Sequence, residues 1–145
     1  MLKRFAAAHV RLGIMLTFLC LLLSSHSVAQ NTITDGDWTN TSIWDTGSLP
    51  GVTDNVTINN TVVIPVGDTV RIGSLTISPT GSLSVYRTLI VNGDMTMEFK
   101  GTQESEFFMS RYSTVIVNGN VTLSNKVKRT LSSYFIVTGD FTKAG

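Results

Sequence analysis

Four glycines and the residues in step with them do most to limit what this chain can fold into. When Gly73, Gly93, Gly119 and Gly139 are aligned, the residue three places on is Thr76, Thr96, Thr122 and Thr142. Two places after each glycine stands Leu75, Met95, Val121 or Phe141, and three places before it stands Val70, Ile90, Ile116 or Ile136. The glycines lie 20, 26 and 20 residues apart. A degenerate period of about twenty residues is the length of one coil of a β-solenoid. Such a repeat specifies a fold rather than a chemistry.

No stretch beyond the first thirty residues carries the apolar period of an amphipathic helix. Val, Ile and Thr recur in short alternating runs broken by Gly, Asn, Asp and Pro, which is an all-β signature. Two β readings compete. Asn92-Gly93 and Asn118-Gly119 are strong two-residue hairpin turns. A hairpin at Asn92-Gly93, however, pairs Val91 with Asp94 and Leu89 with Thr96, mixing apolar and polar residues on one face. If the chain instead runs on through the glycine, Leu89, Val91, Met95 and Met97 share a face. Val115, Val117, Val121 and Leu123 do the same, as do Phe135, Val137 and Phe141. A strand's side chains alternate with period two, so the cleaner face belongs inside and the continuous reading is favoured. Its cost is that Ile90, Ile116 and Ile136 point outward. Its gain is a reason for the threonines: in stacked parallel strands, identical side chains form ladders whose methyls pack and whose hydroxyls bond up the stack. Ser74, Asp94, Asn120 and Asp140 form a second polar column.

The N-terminus reads as a secretory signal peptide. Lys3, Arg4 and Arg11 precede an apolar run from Leu12 to Leu23, and Ser27-Val28-Ala29 supplies small residues for a cut before Gln30. A membrane anchor is the alternative, but the run is shorter than the ~20 apolar residues a spanning helix needs. Phe18 and Leu19 are too bulky for the approach to a lipidated Cys20. After the cut, eight basic residues stand against ten acidic ones, with no basic stripe, so nucleic acid is not an expected partner. His9, His26 and Cys20 all lie in the leader. The mature chain therefore excludes disulfides, thiolate or imidazole metal sites, and mechanisms built on Ser-His-Asp or Cys-His. No catalytic residue, cofactor or metal is expected.

Residues 30–65, with Trp38, Trp44, Pro50, Gly51 and Asp54, read as an N-terminal cap covering the open end of the stack. Residues 66–145 read as the coils, truncated at the C-terminus, with an unpaired edge that invites self-association. The longer middle spacing places an insertion within Glu98 to Ser113, holding Phe99, Lys100, Glu104, Glu106, Phe107, Phe108, Arg111 and Tyr112. Insertions in repeat proteins fall on loops of one face, and protruding loops carry function. Trp38, Trp44, Phe107, Phe108 and Tyr112 are thus the candidates for stacking on sugar rings, with packing in the core as the alternative. Glu104 and Glu106 are the one close carboxylate pair in the insertion, but nothing fixes a sugar between them as hydrolysis requires. Asp35-Gly36-Asp37 offers hard oxygens to calcium yet lacks the other acidic positions of a calcium loop. Asn40, Asn55, Asn59 and Asn120 match the glycosylation pattern, as chance supplies in a chain rich in Asn and Thr.

The stretch Gly36-Asp37-Trp38, Ser42-Ile43-Trp44-Asp45, Leu49-Pro50-Gly51 and Asp54-Asn55-Val56-Thr57-Ile58 resembles the opening of secreted bacterial surface proteins. In those proteins it leads into a right-handed parallel β-helix. It is also similar to the start of the eight-glycine extracellular domain of secreted and receptor-like proteins. Ile72-Gly73-Ser74-Leu75-Thr76-Ile77 and Gly81-Ser82-Leu83 continue the pattern, so the resemblance covers about residues 36–97, with a looser match beyond. It implies a single-stranded right-handed β-helix and export to the outside or outer cell surface. The function expected is structural or adhesive and non-enzymatic, with polysaccharide or other surface proteins as partners and no membrane span in the mature chain. The alternative is the N-terminal part of a larger polysaccharide-processing β-helix enzyme.

Overall fold

In the computed structural model the described residues are 26–100, 103–124, 128–131 and 133–143; for 99–100, 103–104 and 128–131 the description is of the backbone alone. The basic start and apolar run of the leader, with Cys20, lie outside them.

Alternation of apolar and polar residues sets the strands. After β1 (Ala29–Asn31), β2 (Gly36–Asp37) and a 3-10 turn at Thr41–Ile43 come β3 (Asn55–Ile58), β4 (Thr61–Ile64) and β5 (Thr69–Ile72). Next are β6 (Ser74–Ile77), β7 (Ser82–Val85), β8 (Thr88–Val91) and β9 (Met95–Met97), then a short pair, β10 (Phe99–Lys100) and β11 (Gln103–Glu104). The remainder are β12 (Glu106–Met109), β13 (Thr114–Val117), β14 (Val121–Leu123), β15 (Lys128–Leu131), β16 (Tyr134–Val137) and β17 (Phe141–Lys143). The protein is all-β, and three sheets take most strands: β1-β3-β6-β9-β14-β17, β2-β4-β7-β12-β15 and β5-β8-β13-β16. From β3 onward, apart from the antiparallel β10–β11 pair between β9 and β12, the chain visits the three sheets in turn. Each strand lies parallel on its counterpart from the round before, and a short corner joins one sheet to the next.

Asn92-Gly93 is therefore a corner and not a hairpin turn. β8 lies in the third sheet and β9 in the first. The inward parity survives the bend: Leu89, Val91 and Met95 are fully buried and Met97 nearly so. Val62, Leu83 and Phe107 form one inward column, and Ile72, Val91 and Val117 another, all buried. Each such aliphatic side chain contributes about 1.5–3 kcal/mol on leaving water. In the outward column, Arg71 is followed by Ile90, Ile116 and Ile136. Exposure rises along it, from 9% at Ile90 to 46% at Ile136.

The threonine ladder is longer than the aligned glycines indicate. Thr57, Thr76, Thr96, Thr122 and Thr142 are in register. Their hydroxyls, however, make no hydrogen bonds with one another among the described residues. Strands stand ~4.8 Å apart, whereas a hydroxyl pair needs ~2.8 Å, so methyl packing is satisfied in the ladder without the polar contact. The neighbouring column makes the vertical bonds instead. Ser74 Oγ donates to Asn55 Oδ1 (2.7 Å), Asn120 N–H to Asp94 Oδ1 (2.7 Å), and Asp140 N–H to Asn120 Oδ1 (2.9 Å).

The glycines stand at the corner between the third and first sheets. Gly93 N–H donates to Gly73 O (2.6 Å), and Gly139 N–H to Gly119 O (3.2 Å). A Cβ built on Gly119 would lie 2.6 Å from both the carbonyl carbon and the oxygen of Gly93. Close backbone approach thus requires glycine here.

The regular ladder begins before residue 66, since β3 and β4 already pair in register with β6 and β7. Ahead of them, residues 38–54 form a knot of side-chain contacts. Trp38 and Trp44 pack edge to face at 4.8 Å, and Trp44 Nε1 donates to Trp38 O (3.1 Å). Asp54 accepts from Gly51 N–H (2.7 Å), Val28 N–H (2.9 Å) and Gln30 Nε2 (3.0 Å). Val28 and Ala29, on the leader side of the expected cut, are joined to this knot: Asn55 N–H bonds Val28 O (2.9 Å), and Ala29 pairs with Asn55.

Candidate functional site

The five aromatic candidates fall into two groups. Trp38, Trp44 and Phe107 are only 3%, 1% and 1% exposed, so they have no ring face free for a sugar. The tryptophans fill the end of the core, and Phe107 sits in an inward column because its place in β12 is the buried phase of the strand. Phe108, one residue on, points outward. Its ring lies 5.9 Å from that of Tyr86, tilted by 52°. Tyr112 is 78% exposed.

Tyr86 was not visible as a candidate because it lies outside the insertion. The register supplies the missing signal. Ser84 in β7 pairs with Phe108 in β12, and Tyr86 follows Ser84 by two residues, on the same outward phase. The turn carrying Tyr112 sits one rung above the turn carrying Tyr86. Ser110 N–H donates to Val85 O (3.0 Å), and Thr114 N–H to Arg87 O (2.7 Å). Below them, the turn after β4 exposes Val66.

Tyr112 holds an unusual backbone. The turn from Ser110 to Ser113 is closed by Ser113 N–H on Ser110 O (3.2 Å), with Ser113 Oγ on the same carbonyl (2.8 Å). Its third residue, Tyr112, has φ +73°, the left-handed value that a type II turn usually gives to glycine. It is the one non-glycine residue with positive φ among those described. A bulky side chain here costs about 1–2 kcal/mol. Strain of this kind concentrates at functional positions. Arg87 and Arg111, next in sequence to Tyr86 and Tyr112, are exposed and make no side-chain hydrogen bond or ion pair among the described residues. The corner thus offers aromatic faces with cationic donors next to them, the combination that stacks on sugar rings and bonds their hydroxyl or carboxylate oxygens.

The carboxylates behave differently. Glu104 ends β11, opposite Phe99 in an antiparallel pair, whereas Glu106 opens β12 opposite Ser82. They are therefore not two residues of one strand, and the side chain of Glu104 lies outside the described residues, as do those of Phe99 and Lys100. Asp35 accepts from Thr61 N–H (2.7 Å), and Gly36 and Asp37 pair with β4. Among the described residues no three of His, Cys, Asp and Glu cluster as a metal site would require. Three of the four sequon asparagines hold structure. Asn40 Oδ1 caps the 3-10 turn through Ser42 N–H, and Asn55 and Asn120 belong to the polar column. No helix among the described residues is long and apolar enough to cross a membrane.

Comparison with protein-family models, with curated proteins and with solved structures finds no match to this chain.

Proposed function

We propose that this chain is a secreted, non-enzymatic module of the outer cell surface, folded as a right-handed parallel β-helix of about twenty residues per coil. Its role is structural or adhesive, and it holds polysaccharide on the corner of Tyr86, Phe108 and Tyr112. The observation that carries this reading is the exposed Tyr112 kept at φ +73°, one rung above the Tyr86–Phe108 pair, with exposed Arg87 and Arg111 next in sequence to the two tyrosines and without side-chain partners among the described residues. Arg87 and Arg111 favour an anionic polysaccharide, because guanidinium groups bind carboxylates in bidentate fashion. The leader and the tryptophan-containing opening support export. Exposed Ile136 and Phe141 support self-association along the β16 and β17 side.

Retention of the protein on immobilised uronic-acid polysaccharides tests the reading. Binding that falls at least tenfold in Phe108→Ser with Tyr112→Ala, with an unchanged circular dichroism spectrum, is the expected result. Equal retention of wild type and double variant contradicts it. Release of oligosaccharides, abolished by Glu104→Gln or Glu106→Gln, replaces it with an enzyme.

A further inference from the structure

Two of the three sheets begin one strand earlier than the third. β1 lies on β3 and β2 on β4, whereas β5 is the outermost strand of its sheet on that side. β5 turns the carbonyls of Asp68 and Ile72 toward β8, where they accept from Thr88 N–H (3.3 Å) and Asn92 N–H (2.9 Å). Alternate residues of a strand present their backbone groups to opposite edges. The N–H and C=O of Thr69 and Arg71 therefore point away from β8, along an edge with no strand on it among the described residues. Where a further strand would lie, there is a groove of about 330 Å³, lined by Trp38, Leu49, Pro50, Val52, Thr69 and Arg71, among others. Leu49 and Val52 are 44% and 55% exposed. At the end of this edge the chain itself completes the pairing: Gly73 N–H bonds Asp54 O (2.8 Å).

We infer that this groove takes an extended peptide segment of a partner protein, added parallel to β5 as the strand its sheet lacks. The backbone of Thr69 and Arg71 supplies two donors and two acceptors in strand spacing, which is how sheet edges capture extended peptides. The side-chain pattern follows from the columns that β5 begins. Val70 and Ile72 turn inward and are already buried, at 7% and 0% exposure, so an added strand meets β5 through its backbone and through the outward side chain between them. That side chain is Arg71, which is exposed and has no side-chain partner among the described residues. The segment therefore carries an acidic residue opposite Arg71, with apolar neighbours against the exposed Leu49 and Val52 of the groove. This inference rests on the sheet edges and not on the sugar-binding corner, so failure of polysaccharide retention leaves it standing.

The probe is a synthetic peptide with a Thr-Val-Glu-Val-Thr core, added to the full chain, together with the same peptide N-methylated at alternate residues. Amide hydrogen exchange is read at Thr69, Val70, Arg71 and Ile72, and tryptophan fluorescence reports on Trp38 at the groove. In the protein alone, Thr69 and Arg71 should exchange at least tenfold faster than Val70 and Ile72. The peptide should remove that difference and shift the fluorescence, while the N-methylated peptide does neither. Three results would overturn the inference. One is Thr69 and Arg71 already protected in the free protein, through a second copy if the protection grows with concentration. The others are no slowing at millimolar peptide, and equal protection by the N-methylated peptide.

Discussion

Two corners of this molecule, which meet at the third sheet, are built under different rules. At the glycine corner, each turn rests on the one below. Gly73 N–H meets Asp54 O, and Gly93 and Gly139 meet the carbonyls of Gly73 and Gly119. At the aromatic corner, between the second and third sheets, the turns span 65–68, 86–87 and 110–113 and so differ in length. They expose Val66, Tyr86 and Tyr112 without repeating any of them. The first corner is uniform because backbone contact leaves no room for a side chain. The second is free because ladder bonds at Val85 and Arg87 fix where a turn begins and ends but not what it presents. The exposed side chains can therefore vary at the aromatic corner without disturbing the stack.

The largest test of this contrast is Gly119→Ala. The added methyl would sit against Gly93 backbone and Asp94 Oδ1. The Gly93 backbone cannot give way without shifting a round, and moving Asp94 breaks its bond to Asn120 N–H, so a loss of about 3 kcal/mol in urea unfolding is expected. A loss below about 1 kcal/mol would mean the corner is looser than its geometry.

Acid should act at the end on which the glycine corner stands. Gly51 N–H and Val28 N–H hold the Asp54 carboxyl below its usual value of 3.8, against the opposing effect of burial. The backbone and side-chain amides of Asn31 do the same for Asp45. Because both folded values are depressed, the stability these groups give is present above pH ~4 and is lost as pH falls through the folded values. The urea midpoint should stay level from pH 7 to about 5 and then decline. Asp54→Asn should flatten part of that decline, and an unchanged decline in this variant would count against the assignment.

The smallest effect belongs to the aromatic corner and has the opposite sign. Tyr112→Gly relieves the left-handed strain of about 1–2 kcal/mol and gives back ~0.5–1 kcal/mol in chain entropy. A net gain of about 0.5–1 kcal/mol is expected, together with weaker polysaccharide retention. Destabilisation by this change would show that the ring packs rather than presents.

How much of this was legible in the sequence follows from the same contrast. The glycine and threonine columns were readable because contact forces each round to repeat the last. The inward parity of Leu89, Val91, Met95 and Met97 decided between corner and hairpin, because burial leaves one consistent face. Thr57 escaped the alignment because no glycine precedes it by three residues; Asp54 O meets Gly73 N–H there instead. Tyr86 escaped because its partnership with Phe108 needs the register, which a six-residue insertion hides. Trp38 and Trp44 are visible in the sequence as large aromatics ahead of the repeats, but composition alone does not choose between an exposed ring and a buried one. Their 4.8 Å packing makes that choice.

The account stands on the in-register parallel stack, and spin labels test it most directly. In a Cys20→Ser background, labels on Thr76→Cys and Thr122→Cys lie two rungs apart, about 10 Å between backbones. Labels on Thr57→Cys and Thr142→Cys lie four rungs apart, about 19 Å. Strong dipolar broadening for the first pair and weak broadening for the second is the expected result. No broadening at Thr76 and Thr122, or equal broadening in both pairs, would contradict the stack and the two corners built on it.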